Sequence, residues 1–251
     1  MSWFDLVILL GALLVAGLAV HLIHRYWSHE ERRKHTDVAG FIFAGVAVLY
    51  AVMVGFVVLV GWEGLNSARA TTYREADQLA NVYWASRNLP PPQGPAIAGL
   101  TVAYAHIVVG TEWPLMNQGE SSPKAQAILN QIRDRVFAFQ PRNGQQQGLY
   151  EQALANVNDL SAARRDRLAS MSDTVPEPLW VALIFGGVIT VAFCLLFGLE
   201  NQAVHIAMVA GVAALITISL LLVKDMQYPF AGDPHIGPEA FKIFLGNVEP
   251  R

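Results

Sequence analysis

The sequence predicts an all-α membrane protein. Four transmembrane helices stand as two pairs, with a helical soluble insert between the pairs that extends the bundle. Three observations carry this. Hydrophobic residues make up 53% of the 251 positions and charged residues only 15%, against about 25% charged in ordinary soluble domains. Four apolar stretches, residues 3–23, 38–62, 179–199 and 203–223, each reach the ~20 residues a helix needs to cross a hydrocarbon core about 30 Å thick. The polar region between them keeps apolar residues at three- to four-residue spacing and shows no two-residue alternation. The division that follows is 1–62 for helices one and two, 63–178 for the insert, 179–223 for helices three and four, and 224–251 for a turn-rich C-terminal segment.

The first stretch reads as a retained helix. A removable leader wants positive charge before its apolar core, whereas here residues 1–4 carry no basic side chain, Asp5 is acidic and the basic residues follow the run. Asp37 stands before the second stretch, where N-capping is its expected role, and Glu63 ends it. Ala47, Ala51 and Gly55 recur at four-residue intervals on this helix, a spacing that lets helix backbones approach closely in lipid. Its aromatic residues include Phe41, Tyr50 and Phe56, the candidates for lining a pore. A pore, a neighbouring helix and lipid remain open for them, since bulky apolar side chains also form gates that dewet.

The period of the second stretch continues through Leu65, Thr72, Ala76, Leu79, Tyr83 and Ser86. One long helix is therefore expected, stopped by the prolines of "LPPPQGP". A second insert helix runs from Ala96 to about Trp113. Ser122 with Pro123 marks the start of a third, with Ile128, Ile132, Val136 and Phe139 as its stripe. A fourth spans about 145–171, facing inward through Leu149, Ala153, Val157, Leu160 and Leu168. The insert holds ten Lys/Arg and eleven Asp/Glu, read as a solvated helical surface.

The third stretch contains Gly186–Gly187, and the fourth repeats the small-residue spacing at Ala203, Ala207 and Gly211. Glu200, Asn201 and His205 lie at the turn between them. Asp37, Glu63, Glu200 and His205 are thus polar candidates at the membrane interface, where an ionisable group costs far less than at the bilayer centre.

Several function classes lose support here. The net charge of −3 gives no footing for nucleic acid. HExxH, CxxC, GxSxG and the phosphate-binding GxxxxGK[ST] are missing, so the chain is not read as an enzyme. The lone Cys194 cannot form an intrachain disulfide. His21 and His24 share a helix face without an obvious carboxylate partner, and neither a metal nor another cofactor is expected. The lipid bilayer is the one certain partner.

Orientation follows the Lys/Arg of short loops. Arg25, Arg32, Arg33 and Lys34 lie between the first two helices. The charge rule puts that loop in the cytoplasm and the insert and both termini on the extracytoplasmic side of the cell membrane.

The fourth stretch gives way to "YPFAGDPHIGPEAF". Pro229 and Phe230 are expected to end the helix and turn the chain, with Gly232 and Asp233 in the turn, so that the segment acts as a structural clamp. This segment resembles the one after the last transmembrane helix of bestrophins, with Pro229, Phe230, Gly232 and Asp233 at matching positions. Ala231 is inserted, the preceding Asn is missing, and no calcium site carries over. Together with "HTDVAGFIFAGVAVLYAVMVGFVV" and "EADQLANVYWASRNLP", the chain resembles bacterial four-span proteins described as bestrophin-like. Bestrophins are pentameric anion channels with the second helix around the pore and with both termini and the insert in the cytosol. The resemblance implies a homo-oligomer, a pentamer by that likeness, and an anion path along helix two. Span two lacks the family's intramembrane proline, so pore residues do not transfer by position. On orientation we follow the loop charge. A non-conducting scaffold or accessory subunit that meets a membrane complex through its insert is the other reading.

Overall fold

The computed structural model describes residues 3–34, 36–172, 175–231 and 235–249. Among these, helices are the only regular elements. They are α1 (Trp3–Tyr26), α2 (His29–Arg33), α3 (Thr36–Ser86), α4 (Gln93–Ile107), α5 (Trp113–Met116), α6 (Pro123–Phe137), α7 (Gly144–Ala169), α8 (Glu177–Leu195), α9 (Gln202–Met226) and α10 (Glu239–Val248). The chain divides into two compact units, Met1–Trp62 with Thr174–Gln227, and Glu63–Asp173 with Tyr228–Arg251.

In the first unit α1 packs on α9, and α8 packs on both. The register between α1 and α9 is antiparallel and regular. Asp5 meets Lys224 at 2.7 Å, Ala16 and Val20 share a buried cluster with Ala213 and Val209, and His24 meets His205 at 2.9 Å. Each step along α1 is matched by an equal step back along α9. The two polar contacts lie nineteen residues apart on both helices (5 to 24, 205 to 224). That is about 28 Å of helical rise, close to the ~30 Å hydrocarbon core. The two helices thus keep their polar pairs at their ends and small and branched apolar residues between them.

The apolar half of α3 packs in the same unit. Tyr50 lies over the Gly186–Gly187 pair of α8, where a Cβ on Gly186 would come within 2.8 Å of its ring. Val57 joins Leu183 and Val223 in a buried cluster. Gly61 faces Met226. Small residues on one helix are what admit the bulky residue of another.

Among the described residues, five helical segments are long and apolar enough to cross a membrane. Four coincide with the predicted stretches and have mean hydropathy 2.3 to 2.8; the fifth, Gln93–Met116, reaches only 1.3. It belongs to the second unit, where Ile97, Tyr104, Val108, Trp113 and Met116 are core residues. Its composition reflects a buried core helix.

That second unit gathers the later part of α3 with α4 to α7 and α10 around one core. The start of α6 is as read, with Ser122 accepting from the Ala125 amide and Pro123 at the first turn. Its stripe is rotated slightly, burying Leu129 while Ile128 stays partly exposed. Gly94 is required where α4 begins. A Cβ there would collide with the Leu89 and Ser86 carbonyls.

Candidate functional site

The outward face of α3 in the first unit is apolar and uncovered. Phe41, Gly45, Val48, Val52, Phe56 and Leu59 recur at three- to four-residue spacing and all are exposed, Phe41 by 86% and Phe56 by 65%. Tyr50 departs from the other two pore candidates. It is only 8% exposed because the α8 glycine pair receives its ring, so its surroundings are those of a packing residue within the chain. The small residues Ala51, Gly55, Ala203, Ala207 and Gly211 are also uncovered.

The polar candidates take different positions. Asp37 was expected to cap α3; it lies one residue inside the helix, in its first turn. There a carboxylate still opposes the positive end of the helix dipole. Thr36 Oγ1 donates to the Arg32 carbonyl at 3.1 Å and accepts from the Gly198 amide at 3.1 Å. Glu63 is exposed. Glu200 lies 3.8 Å from Arg33 with both side chains largely in the open, a pairing worth little.

His205 is buried. Its Nε2–H donates to the Cys194 carbonyl at 3.0 Å, which leaves Nδ1 to accept from His24 Nε2–H at 2.9 Å in the neutral pair. Arg32 finishes the same helix end, with Nη1 donating to the Phe197 carbonyl at 3.0 Å and more distantly to that of Leu195. The last carbonyls of α8 are thus met by an imidazole and a guanidinium, the groups that suit the negative end of a helix.

Of the clamp, Gly232 and Asp233 lie outside the described residues. Pro229 and Phe230 are buried in the second unit. Phe230 meets Trp113 edge to face at 5.6 Å. Trp113 Nε1–H donates to the Ile236 carbonyl at 3.0 Å, and the Ile236 amide donates back to Pro229 at 2.8 Å. Trp113 therefore holds both sides of the turn.

Four charged residues expected on the surface are in the core of the second unit. Glu75, Glu112, Arg164 and Arg167 are all buried. Arg164 donates to both oxygens of Glu112 at 2.7 and 2.6 Å. Arg167 donates through Nε to Glu75 at 2.6 Å and through Nη2 to Glu112. Tyr104 donates to Glu75 at 2.6 Å and accepts from Arg164 at 2.9 Å. The Ser122 amide donates to Glu112 at 3.0 Å. Two positive and two negative charges close on each other, which satisfies groups that burial would otherwise penalise heavily. Glu112 ends a single π-helical turn, Val108–Glu112, a geometry that inserts a residue into the helix.

The electrostatics follow. Burial pushes the Glu112 carboxyl up, but the Arg164 hydrogen bonds and the charges of Arg167 and Arg164 outweigh it, and the net is below the ordinary value. Burial and the Glu75 charge raise the Tyr104 phenol well above its own. Burial opposes the charge of Arg167, yet Glu75 holds it firmly protonated.

The sequence profile of the Bestrophin-like domain matches residues 10–241. The chain belongs to that family. Among solved structures, it is similar to a bacterial bestrophin homologue from Klebsiella pneumoniae determined by zinc phasing. The TM-score is 0.65 at 15% identity, with 96% of this chain and 99% of that one covered. A single-residue variant of that homologue gives a TM-score of 0.70 at 13% identity, covering 95% and 98%. These likenesses show a shared fold. Nothing among the curated proteins matches the sequence. The bestrophin-like fold accounts for the helix order, and this chain is a helical membrane protein of that family.

Proposed function

We propose that this bestrophin-like chain assembles with copies of itself into a ring through which ions pass, the anion path that the family resemblance implies. The outward face of α3 between Phe41 and Leu59 lines that path. The observation that supports it is the uncovered apolar stripe on α3, on which Phe41 and Phe56 project while Tyr50 is taken up by the chain's own packing. Two such side chains, repeated around an axis, would form apolar constrictions of the kind that gate by dewetting. The loop-charge orientation belongs to the same reading: the α1–α3 connection in the cytoplasm, the second unit and both termini outside.

Halide efflux from liposomes holding the purified protein tests it. Flux above that of empty liposomes, increased in Phe41→Ala and Phe56→Ala, is the expected result. No flux in the wild type or either variant would favour the scaffold reading.

A further inference from the structure

The connection between α1 and α3 holds an arginine whose hydrogen bonding is half complete. Arg32 is 1% exposed. Nη1 is anchored on the Phe197 and Leu195 carbonyls, while Nε and Nη2 are buried and meet no acceptor among the described residues. These two nitrogens are the same edge of the guanidinium. Their N–H bonds run parallel, in the fork that fits two oxygens of a phosphate or carboxylate. A buried cation with that edge unmet is costly, and the carboxylates of the two adjoining connections do not fill it. Glu30 and Glu31 are exposed, and Glu200 turns to Arg33.

The surroundings fix the fork in place. Thr36 ties the Arg32 carbonyl to the Gly198 amide, and a Cβ on Gly198 would strike the backbone of Arg32 and Arg33. The residues around it belong to two short connections, 27–34 and 196–201. They lie at the ends of four apolar helices, beside exposed Tyr26 and Trp27, aromatic residues of the type that settle at headgroup level. Arg25, Arg33 and Lys34 add unspecific positive charge.

We propose that Arg32 is a binding site for the phosphate of an anionic phospholipid headgroup, held side-on by Nε and Nη2 at the membrane edge of the first unit. Under the loop-charge orientation it faces the cytoplasmic leaflet, where anionic lipids concentrate.

Native mass spectrometry of the full chain in mild detergent, titrated with phosphatidylglycerol or phosphatidylcholine, tests this. One phosphatidylglycerol per chain should bind saturably, with a rise in Tm that phosphatidylcholine does not match. Arg32→Lys retains the charge and a donor for the Phe197 carbonyl but loses the fork. It should bind about tenfold more weakly, whereas the Arg33→Gln/Lys34→Gln double variant keeps the bound lipid. Should Arg32→Lys fail to fold, the wild-type titration decides alone: binding without saturation, or equal binding of both lipids, overturns the site. An equal Tm rise with inorganic phosphate, at matched ionic strength and without lipid, would overturn the lipid as its source. Retention of the lipid by folded Arg32→Lys overturns the fork.

Discussion

The Arg167 guanidinium joins the two buried carboxylates of the second unit, donating through Nε to Glu75 at 2.6 Å and through Nη2 to Glu112. One side chain on α7 thereby fixes the later part of α3 and the π turn after α4 against each other. The arrangement is closed and electrically balanced, which assigns it to holding the unit's packing.

Arg167→Met removes a cation and leaves Arg164 to balance two buried carboxylates, with Glu75 held by the Tyr104 hydroxyl. The loss of unfolding free energy should be about 3–5 kcal/mol, the usual cost of breaking a buried pair. Arg135→Ala, on an exposed part of α6, should change it by less than about 0.5 kcal/mol. Chemical unfolding in detergent, followed by helical circular dichroism, compares the two.

Acid should weaken the same unit in one direction. The folded Glu112 carboxyl lies below its ordinary 4.5, so its unfolded form binds protons more readily. Its contribution is present in full above 4.5 and is lost as pH falls through the depressed folded value. Tm measured from pH 7 down to pH 3 should fall below about 4.5. Glu112→Gln should start lower and show a flatter decline.

Glycines on the two sides of α8 and α9 should behave oppositely. Gly186→Ala drives a Cβ to 2.8 Å from the Tyr50 ring and should cost about 1–3 kcal/mol through overpacking. Gly211 has nothing within 4 Å of where a Cβ would stand. Gly211→Ala should hold or raise stability, since alanine favours helix by up to about 1 kcal/mol. Thermal melts of the two variants separate the cases.

The turn after α9 should depend on its aromatic anchor. Phe230→Ala removes a ring buried against Trp113 and should cost about 3–5 kcal/mol. A variant with wild-type stability would contradict the clamp. Limited proteolysis at residues 227–240 reports the same loosening.

The spans, the continuous α3 and the Ser122 cap were legible because apolar runs, proline stops and capping residues act locally. The buried charges were hidden because opposite charges on a helical insert have the composition of a wet surface. A signal was present: the stripe Ala153, Val157, Leu160 continues at the same spacing onto Arg164 and Arg167. On α3, Thr72, Ala76 and Leu79 flank Glu75. Charged residues of opposite sign on two apolar stripes mark a buried pair, but which partners meet is tertiary information. The same holds for Tyr50, whose burial needs the Gly186–Gly187 pair of another helix. Arg32 read as one of four loop cations; only the fold singles out its half-filled fork.

Cysteine substitution along α3, with currents recorded in planar bilayers, tests the central claim most directly. The native Cys194 is buried and is replaced by Ala for the background. A charged thiol reagent should block current at Val52→Cys, on the uncovered face, and leave it unchanged at Val57→Cys, which is covered by α8 and α9. Current unaffected by modification at Val52→Cys, or no current from the reconstituted protein, would contradict an ion path along α3.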